Sequence, residues 1–279
     1  MFKKISKKAK KLLNAFSQKT YFQKGKPPTK FNDLQLRFCE WNAERLGISV
    51  EESKKRLEES WASILGGFSD TYYRQFCDLS YNIFRVFWDD NETEIWEAYR
   101  FHGPMHMLRM LSYEEPKLDS ESPIISHLPH SKQLTILDFG CGLAQTSQAI
   151  ITYLKASGIS TSLVLADIPT IRKDFLIWLG TKSGINMSFL DCTQEMPIPK
   201  IPSVDVCIAT EVFEHLHDPM PYLLKFHEAL SPGGLLLTNI NDHRNEYMHV
   251  TPNLSLLRQK LQNLSYHELE PNTLYKKPE

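Results

Sequence analysis

The sequence predicts an α/β protein in which a doubly wound, mostly parallel sheet of seven strands follows an N-terminal all-helical cap. Three observations carry that prediction. After about Ser131, short apolar runs alternate with helical stretches, which is the pattern of successive β-α-β units. From Phe31 to about Tyr113, apolar and aromatic residues recur at three- and four-residue steps with no alternating strand. Between these regions and the C-terminus, Leu137-Asp138-Phe139-Gly140-Cys141-Gly142-Leu143-Ala144 ends an apolar run and opens a helix carrying Ala149, Ile150 and Leu154.

Taken in order, residues 1 to 30 carry ten lysines and no acid, so the chain's formal charge of −1 leaves −11 on the remaining residues. On a helix, Phe2, Ile5, Ala9, Leu12, Leu13 and Phe16 fall in one arc, with Lys3, Lys4, Lys7, Lys8, Lys10 and Lys11 around the rest. Such a basic amphipathic helix suits an anionic membrane surface, and residues 1 to 20 are its candidate contact. Docking on the protein itself, disorder and nucleic-acid contact are the alternatives. Lys24 to Lys30, with Pro27 and Pro28, reads as a linker. The lysines interrupt any apolar run that a secretory signal would need.

Residues 31 to 130 form the expected helical cap and substrate region. Ser49 and Glu52 have the spacing of a capping box for a helix running towards Trp61 and ended by Gly66-Gly67. A further helix starts near Ser69-Asp70 and carries Tyr72, Tyr73, Phe76, Leu79, Ile83, Phe87 and Trp88; another carries Ile95, Trp96 and Tyr99. These aromatics are expected in a core rather than against a ligand. His102 and His106 flank Gly103-Pro104, where paired histidines ordinarily make polar surface. Residues 114 to 131, rich in Pro, Ser and acids, read as a connection.

The third unit, residues 131 to 279, holds the sheet. Strands are expected at Leu134 to Phe139, Leu163 to Ala166, Asn186 to Leu190, Val204 to Thr210 and Leu235 to Ile240, with helices between them. Thr251-Pro252 reads as an N-cap and first-turn pair for a helix to about Leu264. Tyr266 to Leu269 and Thr273 to Tyr275 complete the seven as a closing hairpin.

Composition excludes several classes. Hydrophobic residues at 42% and charged residues at 23% describe a globular protein. The five cysteines, Cys39, Cys77, Cys141, Cys192 and Cys207, make no CxxC pair, so neither a disulfide framework nor a cysteine zinc site is encoded. A reducing, cytoplasmic setting is expected, peripheral to the membrane if residues 1 to 20 engage it. No apolar run reaches the roughly 18 residues that a membrane-spanning helix needs.

The glycine turn exposes backbone amides at a helix start, where a ligand can approach closely. It departs from the dinucleotide pattern GxGxxG because Gln145 occupies the third glycine position. It resembles instead the first motif of class I S-adenosylmethionine-dependent methyltransferases, (D/E)xGxGxG, with Ala144 in place of the last glycine. Three later segments agree in order: the strand end Leu163-Val164-Leu165-Ala166-Asp167, 25 residues after Gly142; Phe189-Leu190-Asp191-Cys192; and Val204 to Leu216 followed by Leu230-Ser231-Pro232-Gly233-Gly234. The motifs span about 110 residues.

The resemblance implies a Rossmann-like fold that binds S-adenosylmethionine. It implies that Gly140 and Gly142 pass beneath the methionine part, that Asp138 helps hold its amino group, and that Asp167 accepts the ribose hydroxyls. It further places Asp191 at the adenine amino group, the Cys192 amide at the ring, and Thr210 at the pocket beside the fourth strand. Turn chemistry is the competing account of Asp167 and Asp191.

Glu211, Glu214 and His215 form ExxEH, and on a helical turn residues three and four apart share a face. Two carboxylates and an imidazole suit a divalent metal. The pattern is similar to that of ubiquinone-pathway O-methyltransferases and small-RNA 3′-end methyltransferases. That likeness implies Mg²⁺ or another divalent ion on Glu211, Glu214 and His215, with a further histidine beyond the fifth strand: His249 in first place, His243 in second. A metal there would lower the acceptor hydroxyl's pKa; without one, His215 can serve as general base, or the cluster can shape the cofactor pocket.

The expected activity is methyl transfer to a hydroxyl, or failing that an amine, of a small metabolite, lipid or glycan precursor, with Glu211 and His215 as the catalytic residues. RNA methylation and a catalytically silent scaffold are the alternatives. The −11 charge on residues 31 to 279 argues against nucleic acid as the partner.

Overall fold

The computed structural model describes residues 31–64, 96, 107, 110–111, 116–242 and 249–279. The expected basic helix and linker of residues 1 to 30, the cap helices from Ser69 to Tyr99 with the single exception of Trp96, and His102, His106 and His243 lie outside the described residues. The chain divides into two compact units, Met1–Ala98 and Tyr99–Glu279.

In the first unit, helices α1 (Asp33–Leu46) and α2 (Val50–Ile64) are helical for local reasons. Asn32 Oδ1 accepts from the Gln35 amide and Gln35 Oε1 accepts from the Asn32 amide, both at 2.8 Å, a reciprocal cap on two otherwise orphaned donors. Gly47, at φ +64°, ends α1 in the left-handed conformation that glycine adopts without strain. The Ser49 hydroxyl accepts from the Glu52 amide at 3.1 Å, as its spacing predicted. Leu34, Cys39, Trp41, Ala43 and Leu57 are buried.

The second unit contains the sheet. Its strands are β1 (Gln133–Phe139), β2 (Ser160–Asp167), β3 (Asn186–Asp191), β4 (Val204–Ala209), β5 (Leu230–Thr238), β6 (His267–Glu270) and β7 (Leu274–Lys276), in the spatial order β3-β2-β1-β4-β5-β7-β6. The first five are parallel; β7 runs antiparallel between β5 and β6. α3 (Pro123–Ser126) precedes β1, and between the strands lie α4 (Gln145–Ala156), α5 (Ile171–Ser183), α6 (Met220–Ala229) and α7 (Ser255–Asn263). The order reverses between β1 and β4, so the crevice that open α/β sheets use for ligands opens beyond the carboxyl ends of those two strands. The seven-stranded, mostly parallel, doubly wound sheet and the N-terminal helical region are as the sequence predicted.

Three expectations are corrected. Within the stretch expected as a connection, residues 116 to 131 are more than a linker: Ile124 and Ile125 join the core with Leu134, Ile150, Leu154 and Leu163. Strand β5 begins at Leu230, not Leu235, and absorbs Pro232-Gly233-Gly234 as an irregularity where the β4 pairing shifts. At Gly234 a Cβ would lie 2.8 Å from the Ser231 carbonyl and 2.9 Å from that of Asp205, so no side chain fits. Finally, Thr251-Pro252 does not open the last helix, which starts at Ser255; the Thr251 hydroxyl donates to the Leu216 carbonyl at 2.6 Å instead. No described helix is long and apolar enough to cross a membrane.

Candidate active site

The turn after β1 is built from three consecutive left-handed positions at every second residue: Gly140 at φ +65°, Gly142 at +55° and Ala144 at +55°. Ala144 therefore adopts the same conformation as the glycines, at a cost of about 1–2 kcal/mol for an L-residue. At Gly140 a Cβ would stand 2.5 Å from Val212 Cγ2, and at Gly142 one would stand 2.9 Å from Met110 Sδ. The backbone passes where side chains cannot.

Asp138 sits behind this turn, 5% exposed, and its Oδ2 accepts from the Ser147 hydroxyl at 2.6 Å. Burial pushes its carboxyl up to about 7, partly offset by that hydrogen bond. Asp167, at the end of β2, accepts from the Gly142 amide (2.9 Å), from its neighbour Ile168 (2.7 Å) and from the Arg172 guanidinium (3.2 Å). Asp191, beside it across the β2–β3 pairing, takes Lys173 Nζ at 2.6 and 2.8 Å. The Cys192 amide donates to the Asp167 carbonyl at 3.0 Å. Thr210 follows the end of β4, on the same edge of the sheet.

Sequence reasoning missed Arg172 and Lys173. Both occupy the first turn of α5, where the helix macrodipole disfavours cations, so their presence there is itself a signal of carboxylates close by. Each of the two acids in the cleft is paired to one of these neighbours.

The ExxEH cluster lies at the end of β4. Phe213–His215 is a single 3-10 turn, and Glu211 stands before it at φ +55°, so the expected shared face of an α-helix is corrected. Glu214, His215 and His249 each offer a ligand atom, all within 4.8 Å of one another. His215 Nε2 lies 3.9 Å from Glu214 Oε1, and the two imidazoles meet edge to face with centroids 4.8 Å apart. Glu211 is outside that tight group, but its carboxyl interacts directly with that of Glu214.

Glu214 is wholly buried, and neither of its carboxylate oxygens has a hydrogen-bond partner. Burial, aided by the Glu211 charge, pushes it up to about 8. His249 is brought in by backbone bonds: the Val250 and Thr251 amides both donate to the Glu214 carbonyl, at 2.8 and 3.0 Å. The loop that carries His249 is thus fastened to the residue it faces.

A family model for a methyltransferase domain matches residues 103–273, more than half of the chain. The chain belongs to this methyltransferase family. Among related methyltransferases, the ubiquinone biosynthesis O-methyltransferase of Ruegeria pomeroyi is 27% identical over 166 residues, 56% of this chain and 62% of that protein. The enzyme of the same name from Cereibacter sphaeroides is 28% identical over 149 residues, covering 52% and 58%. The chain thus spans about three fifths of the length of these relatives. A solved S-adenosylmethionine-dependent methyltransferase from Aquifex aeolicus superposes with a TM-score of 0.37 at 17% identity, covering 52% of this chain and 80% of that one. At that score the fold assignment stands on the strand order alone.

Proposed function

We propose that this methyltransferase moves the methyl group of S-adenosylmethionine to a hydroxyl oxygen of a small-molecule or lipid-linked acceptor, beside a divalent cation held by Glu214, His215, His249 and Glu211. The carrying observation is Glu214: a carboxylate with no exposed surface and no hydrogen bond, beside two imidazoles and a second carboxylate. A buried charge without a partner is costly, and mixed carboxylate and imidazole donors suit a divalent ion. The residues fit the group.

Bound there, a divalent cation supplies Lewis acidity that lowers the pKa of an acceptor hydroxyl. The chain's own residues do the rest. Asp138 meets the cosubstrate's ammonium, and the Gly140 to Ala144 turn admits its methionine part against bare backbone. Asp167 and Asp191 receive the ribose and the adenine once Arg172 and Lys173 yield some of their hold. In the transfer the carbon–sulfur bond breaks, the carbon–oxygen bond forms, and the hydroxyl proton, made more acidic, passes to solvent. The ubiquinone-pathway name of the relatives supports an oxygen acceptor.

Calorimetry with S-adenosylmethionine, and radiolabelled methyl transfer to organic-soluble extract with Mg²⁺ or with EDTA, tests the reading. Tight cosubstrate binding and EDTA-sensitive labelling are expected, with Glu214→Gln losing activity about a hundredfold while still binding S-adenosylmethionine. Absence of cosubstrate binding overturns methyl transfer; labelling that EDTA and Glu214→Gln leave intact overturns the cation.

A further inference from the structure

The carboxylate of Glu211 does not stand alone at the end of β4. Asn239 Nδ2 donates to its Oε1. Asn241 Nδ2 donates to Asn239 Oδ1 at 2.9 Å, and Asn272 Nδ2 donates to Asn241 Oδ1 at 3.0 Å. Three amides thus form one line from the β6–β7 turn, across the segment after β5, to the acidic cluster.

The direction of this line is set by chemistry. A carboxylate only accepts, so Asn239 must present its nitrogen to Glu211; its oxygen then faces Asn241, which must in turn present a nitrogen, and so on to Asn272. Every amide dipole points its positive end towards Glu211. Hydrogen bonds in such a chain polarise one another, so the last donor is stronger than an isolated amide.

The far end is fixed. Asn272 sits at φ +57°; its amide donates to Glu268 Oε1 at 2.7 Å, and its carbonyl accepts from the Ile240 amide at 3.0 Å. The near end is where rigidity is needed. Glu211 is held in a left-handed conformation that costs a non-glycine residue about 1–3 kcal/mol, and its side chain is exposed to solvent. Burial therefore does not fix its side chain, and the Asn239 amide is what meets it.

We propose that Asn239, driven by Asn241 and Asn272, is a positioning residue that holds the Glu211 carboxylate at the cation site and so completes its set of donors. The proposal rests on the cation reading above. Partners of this kind, which orient metal-binding side chains, typically contribute ten- to a hundredfold to metal affinity.

The test is Mn²⁺ binding to the full chain, followed by electron paramagnetic resonance of free Mn²⁺, for the wild type, Asn239→Ala, Asn241→Ala and the double variant. Thermal melting accompanies each. The wild type is expected to bind Mn²⁺ and Glu214→Gln to lose it. Asn239→Ala should weaken binding about tenfold. Asn241→Ala should weaken it roughly threefold in the wild type and not at all in the Asn239→Ala background, because its influence passes only through Asn239. Wild-type protein that ignores Mn²⁺ overturns the cation reading and the relay together. Mn²⁺ affinity unchanged by Asn239→Ala, even with a lowered melting temperature, overturns the relay and leaves the cation reading standing. Independent, additive losses from the two asparagines also overturn the relay.

Discussion

Asp138 makes the most quantitative prediction in the protein. Its carboxyl is buried, meets one hydroxyl donor, and is pushed up to about 7 from an ordinary value of 3.8. Between those two values the unfolded chain has released the proton and the folded chain keeps it. Folding stability therefore falls with rising pH, by about 1.4 kcal/mol per unit, and the loss totals about 4 kcal/mol before it levels off above pH 7. Asp138→Asn removes the titration while preserving shape and an acceptor for Ser147. Urea unfolding of both proteins from pH 5 to pH 8 isolates the effect, because every other titrating group is common to the two. The variant should gain on the wild type by about 2 kcal/mol between pH 5 and 7 and by only a few tenths beyond. The sign reverses for binding: the ammonium of S-adenosylmethionine favours the carboxylate, so wild-type affinity should rise with pH to about 7 and then flatten. Parallel stability curves for the two proteins would refute the buried-carboxylate argument.

Gly140→Ala should cost roughly 2–5 kcal/mol, from about 1–2 for the left-handed backbone and about 1–3 for driving a methyl against Val212 Cγ2 at 2.5 Å. Denaturant unfolding measures the loss, and adding Val212→Ala should recover only the steric share; full recovery would show that the dihedral carries no strain. Arg172→Leu leaves the nearly buried Asp167 without its cation, and breaking such a pair should destabilise the fold by about 3 kcal/mol. A melting temperature within a degree of wild type would show the pair to be ornamental.

Hydrophobic runs marked the strands because the central parallel strands are buried on both faces and are largely apolar, as Leu134 to Phe139 and Val204 to Ala209 are apart from Thr135, Asp138 and Asp205. Where polarity and burial part company, the reading failed. Ile124 and Ile125 are core residues set among prolines, serines and acids, whose texture is that of a loop. Pro232-Gly233-Gly234 has the chemistry of a turn, yet it enters β5 as an irregular stretch because the neighbouring Asp205 and Ser231 carbonyls leave room only for hydrogen at Gly234. Thr251-Pro252 has the form of a helix start, but its hydroxyl is claimed by a carbonyl 35 residues away, a contact with no local trace.

The acidic cluster shows how side chains can converge by a route that their spacing does not describe. Spacing of three and four placed Glu211, Glu214 and His215 together on the premise of an α-helical face. The chain forms only a 3-10 turn from Phe213 to His215, with side chains three residues apart eclipsed and Glu211 outside it. Glu211 itself stands in the left-handed region, at φ +55°. A donor from the far side of β5 meets its carboxylate, and what adds His249 is a pair of amides bound to the Glu214 carbonyl. Each of these fastenings joins segments more than 25 residues apart, so a local reading of the motif could identify the donors but not the architecture that makes them converge.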